Sequence, residues 1–88
     1  MDARRCLAIN IRKLRVRRGL SQEAFADHAG IDRTYVSRLE RGFQNPSLSV
    51  IEKIARALDA KLSDLFVTPK LGEAKPRPLP AGRRKGTR

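Results

Sequence analysis

Residues 21 to 42 read SQEAFADHAGIDRTYVSRLERG, and the fold follows from this stretch. The Ser21 hydroxyl suits the free amides that open a helix. Phe25, Ala26 and Ala29 then recur at the spacing of one buried helical side, and Gly30 ends the run. Asp32 can cap a second helix from Arg33 to Arg41, closed by Gly42. Only the few residues around Gly30-Ile31-Asp32 join the two, so the sequence predicts a pair of short helices packed across a tight turn. At about 100° per residue, Val36 and Leu39 share one side of the second helix, with Glu40 close to them. Thr34, Ser37, Arg38 and Arg41 fall on the other side. A core helix would be apolar around more of its circumference, and a merely solvated one would mix acids with bases. This outward face has two arginines, two hydroxyls and no acid.

Working outward, Leu7, Ile11, Leu14 and the stem of Arg18 form an amphipathic stripe that predicts a helix from about Ala3 to Arg18, stopped by Gly19. Ile9 and Val16 are left opposite that stripe, as exposed apolar residues. On the other flank, Asn45-Pro46-Ser47 reads as a turn with Ser47 as cap. Leu48, Ile51, Ile54, Ala55 and Leu58 then give the apolar stripe of a fourth helix. A last short helix covers roughly Leu62 to Phe66. No stretch alternates at period two for the length of a strand, so the class is all-α, with five helices.

Apolar periodicity stops near Val67. Four of the five prolines and three of the six glycines follow Thr68. Residues 1 to 67 are therefore expected to form one folded unit, and residues 68 to 88 a disordered Pro/Gly-rich basic tail. A chain of 88 residues has no room for a second core, since domains of this size bury only about 60% of their unfolded surface. The formal net charge is +11. The tail holds seven basic residues against one acid, or +6, and residues 1 to 67 hold 13 against 8, or +5. A pI near 11.3 calls for an acidic partner, nucleic acid or an anionic surface. The lone Cys6 cannot close an intrachain disulfide, and with one histidine, His28, no zinc set can be assembled. No cofactor or metal is expected. An enzyme is not expected either, because no nucleophile and base stand in a workable constellation. The N-terminus enters a charged helical pattern with no long apolar run, so no signal peptide or membrane span is expected and the chain reads as cytoplasmic.

Two helices across a tight turn, the second with a basic, hydroxyl-bearing face, are the geometry of a helix-turn-helix that presents its second helix to a DNA major groove. The sequence resembles the Cro and lambda-repressor-like, or XRE, helix-turn-helix family. The matching stretches are Ile11-Arg12-Lys13-Leu14-Arg15, Gly19-Leu20-Ser21-Gln22-Glu23, Phe25-Ala26, Tyr35 through Gly42, Asn45-Pro46-Ser47-Leu48 and Ile54-Ala55-Arg56-Ala57-Leu58. They span about residues 7 to 66. Short members with this layout include phage-type repressors and restriction-modification controller proteins. The resemblance implies a five-helix lambda-repressor-like domain that binds double-stranded DNA as a homodimer. It places Arg33, Thr34, Ser37 and Arg38 at base-reading positions. Gln22, Tyr35, Arg41, Gln44 and Asn45 are implied contacts to the DNA backbone, and Arg15 and Glu40 a structural ion pair.

Val50, Leu62, Phe66 and Val67 are surplus to one small core. The family dimerises through this end, which makes them the expected interface. The function so implied is that of a sequence-specific transcriptional regulator on a roughly palindromic operator, blocking or recruiting RNA polymerase by where it sits and controlling its own reading frame. The alternative within the class is the antitoxin of a toxin-antitoxin pair, for which the Pro-rich tail is the only candidate toxin-binding segment. A sequence-blind nucleic-acid coat accounts for the charge but not for the Ser37 and Arg38 face.

Overall fold

The computed structural model describes residues 2–69. Within them the chain forms α1 (Ala3–Arg17), α2 (Gln22–Ala29), α3 (Arg33–Glu40) and α4 (Leu48–Ala57), then a 3-10 helix over Leu62–Phe66, and no strand among the described residues. The expected disordered tail covers residues 68–88, of which 70–88 lie outside the described residues.

Each α-helix starts on a side chain that accepts from its first turn. Asp2 accepts the Arg5 amide at 2.8 Å, Ser21 that of Ala24 at 3.0 Å, Asp32 that of Thr34 at 2.9 Å and Ser47 that of Val50 at 3.2 Å. Such a cap is worth about 1 kcal/mol against alanine. All four helices also stop in the same way. A residue with positive φ (Gly19, Gly30, Gly42 or Asp59) turns the chain, and the next amide reaches back five residues to a helix carbonyl. At Gly30 an added Cβ would meet nothing within 4 Å, so its φ of +70° alone favours glycine there. Asp59 holds the same conformation at φ 52°, which short polar side chains tolerate better than branched ones. The fifth element is short, and short runs of this kind commonly take the 3-10 form. Asp64 accepts the Lys61 amide at 3.0 Å and closes its start.

One apolar cluster joins all five elements, with Ile11, Phe25, Val36, Ile54 and Leu65 at 0% exposure. α1 packs on α3 and on the 3-10 helix, α2 packs on α3 and α4, and α4 meets the 3-10 helix. Three details of the sequence reading are corrected. Ile9 is buried and Val16 half-buried, because α1 has neighbours on two sides and buries a wider arc than one stripe. Arg18 lies beyond the end of α1 with an exposed side chain, and it pairs at 3.8 Å with exposed Asp59. Leu48 is 78% exposed at the first position of α4, and the face that meets the core runs through Ile51, Ile54, Ala55 and Leu58.

Candidate nucleic-acid interface

α3 is anchored on one side and bare on the other. Val36 and Leu39 enter the core and Glu40 is buried with them, while Arg33, Thr34, Arg38 and Arg41 are exposed and Ser37 is half-buried. Arginine side chains are longer than those of Thr34 and Ser37, so guanidiniums can extend past the two hydroxyls. Guanidinium forks and hydroxyls are donors that suit base edges and phosphates.

Glu40 fixes that helix in place. Its Oε2 accepts Nε of Arg15 at 2.6 Å, and its Oε1 accepts Nη2 of Arg15 at 3.0 Å, Nε of Arg12 at 3.2 Å and Nε2 of Gln22 at 3.2 Å. Arg15 also donates from Nη1 to the Leu20 carbonyl at 2.7 Å. One carboxylate thus ties α1, the α1–α2 turn and the first residue of α2 to the end of α3. With two guanidiniums on one carboxylate, the group keeps a net positive charge next to the Gln22 side chain. Gln22 does not stand free. Its amide nitrogen is oriented by Glu40, leaving one N–H for an outside acceptor.

The remaining residues assigned from the resemblance differ in burial. Tyr35 is half-buried and packs against the core, Gln44 is half-buried, and Asn45 is exposed in the α3–α4 loop. At the far end Leu62, Phe66 and Val67 are 46%, 43% and 56% exposed, whereas Val50 packs partly against the core. That end is held by Asn10, which is buried in α1 and donates from Nδ2 to the Leu65 carbonyl at 2.9 Å and to the Val67 carbonyl at 2.8 Å. Cys6 donates from Sγ to the same Val67 carbonyl at 3.3 Å.

Sequence reasoning missed Arg12, Asn10 and Phe43. Arg12 precedes Arg15 by three residues, the spacing that puts both on one helical face, so that signal was available. Asn10 had none, since its partners are 55 and 57 residues away. Phe43, after Gly42, is 68% exposed, with the Arg41 guanidinium carbon 5.2 Å from its ring centroid. Among the described residues no three His, Cys, Asp or Glu side chains are grouped to hold a metal, and no helix is long and apolar enough to cross a membrane.

A family model described as helix-turn-helix matches residues 11–65. The chain is 48% identical over 68 residues to a hypothetical transcription factor of Neisseria meningitidis serogroup B, a match that covers 77% of this chain and 64% of that protein. The crystal structure of the Neisseria hypothetical transcription factor NHTF superposes with a TM-score of 0.74, covering 77% of this chain and 78% of that one. The restriction-modification controller protein C.AhdI from Aeromonas hydrophila is 44% identical with a TM-score of 0.70, over 72% of this chain and 96% of that one. The controller protein C.Esp1396I, solved as a tetramer in complex with its natural 35 base-pair operator, is 29% identical with a TM-score of 0.69, over 75% of this chain and 87% of that one.

Proposed function

The chain belongs to the XRE-like helix-turn-helix family of DNA-binding transcription regulators, and from that membership we propose that it is a sequence-specific regulator that acts as a homodimer on a roughly palindromic operator. The observation that carries this reading is the acid-free outer face of α3, with Arg33, Thr34, Ser37 and Arg38 available to base edges in a major groove. Gln22, Tyr35, Arg41, Gln44 and Asn45 flank that face and grip the sugar-phosphate backbone, which sets register but carries no sequence information. Leu62, Phe66 and Val67 form the two-fold contact, with Val50 at its edge. Regulation is by occupancy: the bound dimer blocks RNA polymerase or recruits it according to where the operator lies. The relation to controller proteins, one of them crystallised on its own operator, supports control of the chain's own reading frame.

Residues 1 to 67 serve as the DNA-binding and dimerising unit in this reading, and the basic segment from 68 to 88 adds sequence-blind affinity for phosphates. Its six net positive charges would show as a shallower salt dependence when it is removed. The antitoxin alternative rests on that same segment, most of which lies outside the described residues.

The test is footprinting on the DNA upstream of the chain's own reading frame, together with selection from a random duplex library. The expected footprint is two half-sites about 34 Å apart, one turn of the helix. Equal affinity for every duplex would reduce the chain to a nucleic-acid coat.

A further inference from the structure

The four helix ends share one cap, and three of them treat the residue after the left-handed position alike. Leu20, Ile31 and Ala60 each donate an amide back to the preceding helix and turn their side chains onto the core, the usual partner of this motif. Phe43 makes the same backbone bond, to the Arg38 carbonyl at 2.9 Å, yet its ring is 68% exposed. A phenyl group that could have entered the core stands in water instead. What it meets is Arg41, whose guanidinium carbon lies 5.2 Å from the ring centroid, within the range of a cation–π contact.

We propose that Phe43 is a positioning residue for DNA binding: its ring, bolted by the backbone to the end of α3, holds the Arg41 guanidinium ready for the phosphate backbone. The proposal rests on the DNA-binding reading above and assigns a role to a residue outside the implied contact set. Arginine loses much rotamer freedom when it is fixed on a ligand. A ring that fixes it beforehand removes part of that loss from the binding step. The Phe43 amide is tied to the Arg38 carbonyl, so the backbone that carries the ring is fixed at the end of α3, next to Arg41. The ring contact also leaves the guanidinium N–H groups free, since an aromatic face takes the cation through its π surface and uses none of its in-plane donors.

The experiment uses the full chain and the strongest duplex that the wild type selects from a random library. Phe43→Leu should weaken binding about two- to fivefold, the range for an exposed cation–π contact, with an unchanged melting temperature. Phe43→Tyr and Phe43→Trp should restore it. In an Arg41→Ala background Phe43→Leu should have no further effect, because the ring acts through the guanidinium. In the free protein, the Arg41 Nε–H proton should be shielded by the ring and lose that shift in Phe43→Leu. Additive losses in the double variant would mean that the ring touches DNA itself and would overturn the proposal, as would wild-type affinity of Phe43→Leu. A wild-type chain that binds no duplex while Arg41 keeps its ring shift overturns the DNA-binding reading, and this role with it.

Discussion

Arg15 and Glu40, 25 residues apart, meet inside the domain at 2.6 Å with side chains 4% and 0% exposed. A pair so enclosed has lost the hydration of both ions, and it persists because Leu20, Arg12 and Gln22 fill most of the remaining hydrogen-bond sites. Its main effect is geometric: α3 can present its outer face in only one orientation relative to α1 and α2.

Glu40→Gln keeps the shape and removes the charge. Two guanidiniums then share one neutral acceptor, and breaking a buried pair from one side typically costs about 3 to 5 kcal/mol. The retained amide oxygen still accepts a bond, so a loss near 3 kcal/mol is expected. For so small a domain that is a drop in melting temperature of more than 10 °C by the scale of about 4 to 8 °C per kcal/mol. Arg12→Ala should cost less, about 1.5 kcal/mol, because it removes one part-buried bond to the carboxylate while Arg15 stays in place. Thermal melts of the two variants check both the size and the order. Equal losses would show that Arg12 shares the buried load.

Asn10 is the second internal tie. Its Nδ2 bridges the Leu65 and Val67 carbonyls at 2.9 and 2.8 Å. Asn10→Ala takes the side-chain donor from the Leu65 carbonyl and leaves that of Val67 with the Cys6 thiol alone, at about 1 to 3 kcal/mol. Asn10→Asp should be worse than alanine, since a carboxylate cannot donate and faces two carbonyl oxygens at close range. Chemical denaturation of the pair decides it. An aspartate variant as stable as the alanine one would mean that the 3-10 segment moves off α1 at little cost.

These two ties mark how far the sequence could be read. Ser21, Asp32 and Ser47 were legible as caps because an N-cap is a local event within three residues. The stripe of Phe25, Val36, Leu39, Ile54 and Leu58 was legible because burial follows helical period. Ile9 and Leu48 were misplaced for the same reason: period gives a helix one inner face, but neighbours set how wide it is and where it starts. Asn10 looked like any polar residue on a helix, and its partners lie across the whole chain. On the outer face, Arg38 and Arg41 were legible by sign, whereas the hold of Glu40 on Gln22 was not, because it joins three helices through one oxygen.

Arg38 is exposed on α3, and its side chain makes no hydrogen bond or ion pair among the described residues. Arg38→Ala should therefore leave stability unchanged and weaken binding to the selected operator by about 1 to 3 kcal/mol, relaxing the preference at one base pair. On random duplex the loss should be smaller, since only a general charge is removed. Titrations on both DNAs at one salt concentration separate the cases. Equal losses on the two would make Arg38 a phosphate contact rather than a reader.

The 3-10 helix sets up the last prediction. Leu65 points into the core at 0% exposure, while Leu62, Phe66 and Val67 from the same short segment remain 46%, 43% and 56% exposed. Three large apolar groups left together in water forgo stabilisation on the order of 1.5 to 3 kcal/mol each if fully buried, and about half of that given what is already covered. A two-fold contact recovers this on both chains at once, and it would set two copies of α3 on one face of a DNA duplex. Phe66→Glu puts two like charges at the centre of such a contact. Because the ring is not part of the core, the variant should remain folded, sediment as a monomer, and lose operator affinity steeply while keeping its weak affinity for random duplex. Melting gives an independent check: a dimer's melting temperature rises with protein concentration, and a monomer's does not. Wild-type protein that sediments as a monomer at tens of micromolar, or a Phe66→Glu variant that stays dimeric, would move the interface away from the 3-10 helix.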